Sequence, residues 1–473
     1  MSSRASSSVW VIASAALALG LAACDGGSDD GGPGGSGGGG GSPTADVTFH
    51  KDVEPLLQRS CLGCHYDGKI GGFSLVTYDD AKPMADFMAS MTEARLMPPW
   101  GAQETDDCKP RLPWRNDLRL SDEEIAMLRA WADAGAPEGN PADAPPAYVP
   151  PPDGLPNADI ELTPAEPSMV SGNTDQFICV VYDPQLTEDK WVDGINILAD
   201  NTKVAHHAVT FRANRADVLA ESGGAERYPC FGGTQGDVVH VWAPGGQPFE
   251  LPDDVGIKLT PDQVIVVQMH YHPRGDTVEQ DSSKLQLRFR DQVPSYQLLV
   301  TFPGNAKDAS EGLLPDPDDR TADPEFRIPA GSTDHVETME IRVPNEVIID
   351  VPILMVMPHM HYVGTDIRLD IERATQPPSQ PQNECLVQTP AWDFSWQRFY
   401  TYDVPINELP TGKAGDVFKV TCHYNNSSGN PYVAQALEEQ GLSAPVDVYL
   451  GEQTLDEMCL VPLGILLPSS LNL

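Results

Sequence analysis

From Ile160 to Leu473 the chain is a succession of short β-prone segments, which Gly, Pro, Asn and Asp residues interrupt. The clearest of these segments are Gln176 to Tyr182, Val204 to Arg212, Val264 to Tyr271, Lys284 to Phe289, Gln297 to Phe302, Ile353 to Met357 and Val417 to Tyr424. Many short strands separated by turn residues are typical of antiparallel β-sandwiches. The pattern therefore predicts a sandwich architecture for this part of the chain, without a clear tandem repeat.

The length of the chain limits the number of domains, and its net charge bears on the kinds of partner it can bind. A chain of 473 residues is long enough for two to four domains of roughly 100–200 residues each. Its 69 acidic and 30 basic residues leave a net charge of −39. This charge argues against nucleic acid as a partner, because phosphate binding depends on Lys and Arg. The acidity itself indicates a well-solvated surface and does not select any particular cation.

The N-terminus has the features of an export signal. Arg4 precedes the apolar run Val9 to Leu21, and a Leu-Ala-Ala-Cys sequence resembling a bacterial lipobox ends at Cys24. We interpret residues 1–24 as a lipoprotein signal peptide and residues 25–43 as a Gly/Ser-rich tether. An ordinary signal peptide with an incidental cysteine is the alternative. We expect the protein to be anchored to a bacterial membrane by a lipid on Cys24, facing the periplasm or the cell exterior. No later segment is apolar enough to span the membrane.

The sequence Cys61-Leu62-Gly63-Cys64-His65 is the pattern for covalent attachment of haem c. Two thiols can add to the haem vinyl groups, and the adjacent histidine can reach the iron. A disulfide or zinc pair followed by a chance histidine is the alternative. Together with its flanking helical patterns, the motif resembles the small bacterial cytochrome c domains over residues 44–136.

In those domains a methionine usually supplies the sixth iron ligand. Met97 in Leu96-Met97-Pro98-Pro99-Trp100 resembles that methionine, and a His/Met pair would suit electron transfer. A simple proline-rich turn is the alternative. The competing methionines, which we interpret as core or helix-surface residues, are Met84, Met88 and Met91. A linker rich in Pro, Ala and Asp then occupies residues 137–158.

Histidines and one methionine recur in the β-rich part of the chain. His359 and His361 form a His-x-His pair, which alone is weak evidence because such residues are often at the surface. The other members of this set are His206, His207, His270 and Met458. Imidazoles with a thioether indicate a metal protein, and the thioether favours copper.

These segments, in this order, resemble the type II copper, ascorbate-dependent monooxygenases, the family of peptidylglycine α-hydroxylating and dopamine β-monooxygenases. The matching segments are Val204 to His207, Val266 to Tyr271, His359 to His361 and Asp456 to Cys459. The resemblance implies two jelly-roll-like domains, residues 159–315 and 316–473, with one copper ion on each.

By that resemblance, His206, His207 and His270 hold an electron-storing copper. His359, His361 and Met458 hold the catalytic copper, where the thioether favours the reduced ion. Adjacent histidines point to opposite faces of a regular strand, so His206 and His207 can share one metal only if the strand is bulged or twisted.

The expected fold class is therefore multidomain: a small all-α cytochrome c domain followed by two all-β jelly-roll-like sandwich domains. The expected function is hydroxylation of a C–H bond of a small organic or peptide substrate with O₂. Two copper ions and one covalent haem c would serve it, and the electron donor would be an ascorbate-like reductant or a periplasmic redox protein. The alternative is a non-catalytic copper and haem electron-transfer protein on the same scaffold.

His272 is the main rival of His270, because it lies two residues further along the same segment. The histidines for which we expect no ligand role are His50, His240, His335 and His423.

Six cysteines remain after Cys24 and the two haem cysteines. Cys422 and Cys459 resemble a disulfide of the monooxygenase family. Cys179 and Cys230 are plausible partners in the first sandwich. Cys108 and Cys385 are left over, either paired across domains or free.

Overall fold

The structure, a computed structural model, describes residues 47–471 except 70, 152–153, 173, 244–245, 274, 395 and 454. The expected signal peptide with Cys24 and the expected tether, residues 1–43, lie outside these residues. In the part of the chain that the structure covers, no helix combines the length and apolarity needed to cross a membrane.

Strands dominate the architecture. The strands are β1 Ile160–Leu162, β2 Ser168–Gly172, β3 Gln176–Tyr182, β4 Lys190–Leu198, β5 Ala205–Asn214, β6 Arg227–Pro229, β7 Asp237–Trp242, β8 Phe249–Glu250, β9 Val255–Leu259, β10 Gln263–Tyr271, β11 Gly275–Asp281, β12 Lys284–Arg290, β13 Tyr296–Thr301, β14 Arg327–Ile328, β15 His335–Arg342, β16 Val351–Val356, β17 Gly364–Glu372, β18 Asn383–Thr389, β19 Tyr400–Thr401, β20 Thr411–Gly412, β21 Val417–Tyr424, β22 Val448–Tyr449 and β23 Leu463–Pro468.

A five-stranded sheet in the order β6-β3-β10-β5-β7 carries the first group of histidines. Its centre is β10, which is buried along almost its whole length and pairs antiparallel with β3 and β5. A strand buried on both faces reads as a continuous apolar run, as Val264 to Val267 does.

A ten-stranded sheet links the two halves of the chain. Its main order is β1-β12-β4-β9-β13-β23-β16-β19, with β8 and β20 attached to β4 and β16. The junction between the halves is the antiparallel pair of β13 and β23, which extends from Tyr296↔Pro468 to Thr301↔Leu463. A four-stranded sheet in the order β15-β21-β17-β18 packs in the C-terminal half.

The helices are few and short. They are α1 Glu54–Ser60, α2 Tyr78–Ala81, α3 Ala85–Glu93, α4 Asp122–Asp133, α5 Arg215–Ser222 and α6 Pro431–Gln440. Ser121 caps α4 in a capping box with Glu124, as the Ser-Asp-Glu-Glu sequence predicts. The N-terminal helices pack around a small cluster that includes Phe49, Leu128 and Trp131.

The expected fold class is wrong. The chain from Asp46 to Leu473 is one compact, mostly β unit, and no separate small all-α cytochrome c domain precedes the described sheets. The segment between α3 and α4 buries Trp100 and Trp114 in the main β core, so the helical region is continuous with it. The β13–β23 pair also places strands of both halves in one sheet. Sequence pattern reports local periodicity, and these contacts join segments far apart in the chain.

Three disulfides cross-link the unit. They are Cys108–Cys385, Cys179–Cys230 and Cys422–Cys459. The last two are the pairs expected from the sequence. Cys108–Cys385 joins the segment after α3 to β18. The sequence left open whether these two cysteines are paired or free, and the structure shows that they are paired.

Candidate metal centre

Three imidazoles, those of His206, His207 and His270, meet where the start of β5 lies beside the end of β10 in the five-stranded sheet. His270 lies opposite His207, but the next residue, Tyr271, lies opposite Ala205. His206 is therefore an extra residue in β5, which is the definition of a β-bulge. In a regular strand two neighbouring side chains point to opposite faces, and this bulge lets both histidines turn to the same point.

The ring nitrogens of this first histidine cluster converge. His207 Nδ1 is 3.1 Å from His206 Nδ1 and 3.4 Å from His270 Nδ1. One potential ligand atom from each residue lies within 4.8 Å of the other two. Three imidazole nitrogens at this spacing form a donor set suited to copper or zinc.

Burial keeps two of these rings neutral. It lowers the pKa of His206 to about 4 and the pKa of His207 well below its ordinary value. A neutral imidazole is the form that binds a metal. His206 and His207 can therefore act as metal ligands at neutral pH.

Asp175, in the turn before β3, holds the third imidazole in place. Its Oδ2 is 2.9 Å from His270 Nε2, and its Oδ1 is 2.8 Å from His272 Nδ1. Burial opposes ionisation of Asp175, but the hydrogen bonds to both rings lower the pKa of its carboxyl below the ordinary range. With Nε2 bonded to the carboxylate, His270 presents Nδ1 to the cluster.

His272 does not belong to the first histidine cluster. Its side chain is 54% exposed and is oriented by Asp175 rather than toward the other nitrogens. The preference for His270 over His272 therefore has a geometric basis.

The second group of expected ligands lies between β16 and β17 and near the C-terminus. His359 and His361 are in the loop after β16, where His359 forms an isolated bridge with Leu460. His359 Nδ1 is 2.6 Å from Gln397 Oε1, and His361 Nδ1 is 3.1 Å from the Asp456 carbonyl oxygen. In metal-binding histidines, the nitrogen that does not ligate is held in this way. We call His359, His361 and Met458 the His-Met cluster.

Glu457 ties the two segments of the His-Met cluster together. Its fully buried carboxylate accepts hydrogen bonds from the backbone N–H groups of Met458 (2.8 Å), Val363 (3.1 Å) and His361. Burial raises the pKa of this carboxyl to about 8. The clamp ties the backbone at Met458 to the segment from His361 to Val363, and the Cys422–Cys459 disulfide holds the residue after the methionine.

All six expected metal ligands line one cavity of about 470 Å³. Phe394 lies between the two groups, with its ring centroid 5.8 Å from that of His206 and 6.3 Å from that of His361. Further aromatic walls are contributed by Phe177, Phe211, Phe231, Phe302 and Phe399. The arrangement can admit an apolar molecule between two potential metal sites.

The C-x-x-C-H loop follows α1 directly. Cys61 and Cys64 are free thiols, and burial raises the pKa of the Cys61 thiol to about 12. His65 Nδ1 is buried, and it has no hydrogen-bond partner among the residues described. Two free thiols and a buried imidazole nitrogen without a partner fit the attachment residues of a haem c.

Met97 is not joined to His65 by any contact within the described part of the chain. It is 38% exposed and lines a separate cavity of about 500 Å³ with Arg95 and Trp100. Its role as sixth ligand stays a prediction. Met88, one of its rivals, is buried in the core of the helical region.

A further cavity, of about 770 Å³, lies between the C-x-x-C-H loop and the first histidine cluster. Leu62 and Gly63, which separate the two cysteines, line one part of it, and His206 and His272 line another. The expected haem loop and the expected first copper site are therefore neighbours in space.

Comparison with known proteins finds no relative that indicates a function for this chain. No protein-family model matches the chain, and no curated protein matches it. The VP2 subviral particle of infectious bursal disease virus is similar at 10% identity over 67% of this chain and 80% of that one, with a TM-score of 0.17. The major capsid protein P2 of bacteriophage PM2 is similar at 7% identity over 56% and 97%, with a TM-score of 0.21. TM-scores this low carry no argument about fold or function.

Proposed function

We propose that this protein is a copper-dependent monooxygenase that hydroxylates a C–H bond of a small organic or peptide substrate with O₂. The observation that carries the proposal is that six expected ligands, from four separate segments, line a single cavity. Two clusters with different donor atoms suit two different tasks, since a thioether favours the reduced ion and three imidazoles do not.

Copper bound at the two clusters would supply one-electron redox chemistry toward dioxygen. The chain's own residues supply position and shelter. Asp175 and Gln397 orient His270 and His359 through one ring nitrogen of each histidine. Glu457 ties the backbone at Met458 to the backbone at Val363. The Phe394 ring and the other aromatic walls make the space between the clusters largely apolar.

A haem c attached at Cys61 and Cys64 would supply electrons to this centre. The cavity shared by Leu62, Gly63 and His206 supports that assignment, because it brings the attachment loop beside the first histidine cluster. The external donor is an ascorbate-like reductant or a periplasmic redox protein, and the lipidated N-terminus holds the protein at the membrane.

The decisive test of the copper chemistry is a Met458→Leu variant of the copper-loaded protein. We expect oxygen uptake coupled to hydroxylated product to fall by at least about 100-fold, because even outer partners of metal ligands are worth about 10–100-fold. Copper at the first histidine cluster is retained. The measurements are oxygen uptake and product analysis under ascorbate, with a panel of small organic and peptide substrates.

Met169→Leu is the matched control, since Met169 is an exposed methionine on β2 that does not line this cavity and leucine has a similar volume. Its turnover should equal that of the wild type. A Met458→Leu variant that hydroxylates at the wild-type rate would refute the assignment. Wild-type protein that binds both coppers and exchanges electrons but hydroxylates nothing would instead be an electron-transfer protein.

Haem attachment is tested separately by expressing the chain with a cytochrome c maturation system. We expect one covalent haem per chain, visible as a c-type pyridine haemochrome spectrum. Replacement of both Cys61 and Cys64 by serine should abolish it, because each thiol forms one bond to the haem. Replacement of Cys108 and Cys385 should leave it in place. A haem-free wild-type chain would remove the haem from the proposed function.

A further inference from the structure

A third group of potential ligands shares no residue with either histidine cluster and lies in the loop before β14 and at the start of β15. His335 is buried, with its Nδ1 3.3 Å from Asp318 Oδ2 and its Nε2 3.9 Å from Asp316 Oδ2. One potential ligand atom from each of these three residues lies within 4.8 Å of the other two. An imidazole ringed by carboxylates is equally the pattern of a hydrogen-bonded ion pair, so this grouping alone decides nothing.

Glu337 provides the independent observation. Its side chain is 0% exposed, and its Oε1 is 3.0 Å from His335 Nε2. The other oxygen, Oε2, is buried and has no hydrogen-bond partner among the described residues. Because both oxygens belong to one carboxylate, Oε2 lies beside the same imidazole. A buried carboxylate oxygen without a partner is costly unless a cation or a proton satisfies it.

The neighbouring positive charges are directed elsewhere. Arg327 donates to Glu337 Oε1 only through its backbone N–H, at 3.1 Å. Its guanidinium bonds Glu325 at 3.0 Å and lies 3.6 Å from Asp447. Arg320 pairs with Asp447 as well. The three carboxylates around His335 are therefore not neutralised by either arginine.

We propose that Asp316, Asp318, His335 and Glu337 form a binding site for a divalent metal cation. The site is separate from both histidine clusters and does not depend on the proposed catalytic function. A cation here would neutralise the carboxylates and satisfy the buried Glu337 oxygen at the same time.

The donor set specifies the class of cation. Carboxylate oxygens alone would suit Ca²⁺ or Mg²⁺, whereas an imidazole suits Zn²⁺ and other transition metals. One imidazole with three carboxylates favours Zn²⁺ or Mn²⁺ over Ca²⁺. The site also has a structural consequence, because Glu337 lies opposite Cys422 in the β15–β21 pair. Metal binding would stiffen the strand that carries the Cys422–Cys459 disulfide beside Met458.

The test compares the number and affinity of metal ions bound by full-length, chelator-treated variants. Calorimetric titration with Zn²⁺, checked by elemental analysis, should show one equivalent more for the wild type than for Asp318→Asn. Asp318 is 53% exposed, so this substitution does not threaten folding. Glu337→Gln, which keeps the side-chain shape, should lose the same equivalent. Because the histidine clusters are unchanged in both variants, any zinc that they take cancels in the difference.

Asp334→Asn is the matched control, since Asp334 is an exposed carboxylate next to His335 that pairs with His423 instead. It should bind as many equivalents as the wild type. Zn²⁺ should also raise the melting temperature of the wild type more than that of Asp318→Asn. Equal stoichiometry and affinity in the wild type and Asp318→Asn would overturn the site. Ca²⁺ binding as tight as Zn²⁺ binding would overturn the role of His335.

Discussion

At the scale of single residues, the contacts behind the ligands decide how each ring is presented. Asp175 bonds Nε2 of His270, which leaves Nδ1 of that ring facing the other two histidines. A carboxylate in this position fixes the tautomer and orientation of a ligating histidine, and it strengthens the ring as a donor. The same residue also holds His272, the nearest rival ligand, outside the cluster.

Asp175→Asn should therefore weaken copper binding at the first histidine cluster by about 10–100-fold. The neutral amide of Asn accepts a weaker hydrogen bond from His270 Nε2–H than the charged carboxylate does. The orientation of the His270 ring is then less firmly fixed. Copper titration followed by electron paramagnetic resonance would report the loss, with copper at the His-Met cluster unchanged.

Asp183→Asn is the control for this prediction. Asp175 comes directly before β3 and Asp183 directly after it, but Asp183 pairs with Arg215 and not with a histidine of the cluster. Equal copper affinity in Asp175→Asn and the wild type would show that the carboxylate does not position the ring.

The expected ligand residues can be named from the sequence, but the residues that orient them cannot. His206, His207 and His359 stand in short recognisable segments. Asp175 and Glu457 carry no local signal of their own, since each acts on atoms that lie about a hundred positions away. Only the register of the strands brings such partners together. His335 was set aside for the same reason: its carboxylate neighbours are not all adjacent to it in sequence.

At the scale of secondary-structure elements, local pattern predicts strands well and irregularities less well. The strand expected over Gln176 to Tyr182 is β3 with the same bounds. The bulge at His206 was expected only as a requirement of a shared metal, and the shift of register between His270 and Tyr271 supplies it. The pair His359 and His361 lies in a loop rather than in a strand. Hydrogen bonds to Gln397 and Asp456 orient those rings in place of a strand's alternation.

At the scale of the whole molecule, the helical region and the β-sheets form one unit, because a single stretch of chain joins them. The guanidinium of Arg398 lies over the Trp100 ring, with its central carbon 4.6 Å from the ring centroid. Trp114 stacks on Tyr402 with ring centroids 4.7 Å apart. These large side chains gain stability by leaving water. The sequence signalled a helical domain because α1 to α4 have clear local patterns. It did not signal where the chain between α3 and α4 packs.

The Cys108–Cys385 disulfide should stabilise this union, and removing it is the last prediction. The bond closes a sequence separation of 277 residues, so its loss restores much freedom to the unfolded chain. Replacement of both cysteines by serine should lower the free energy of unfolding by about 2–4 kcal/mol. Urea denaturation followed by tryptophan fluorescence measures the change, since Trp100 and Trp114 lie in the joined region. The double variant should still bind metal at the first histidine cluster, because Cys179–Cys230 cross-links that sheet independently. An unchanged unfolding midpoint would mean that packing of the two tryptophans alone holds the helical region on the sheets.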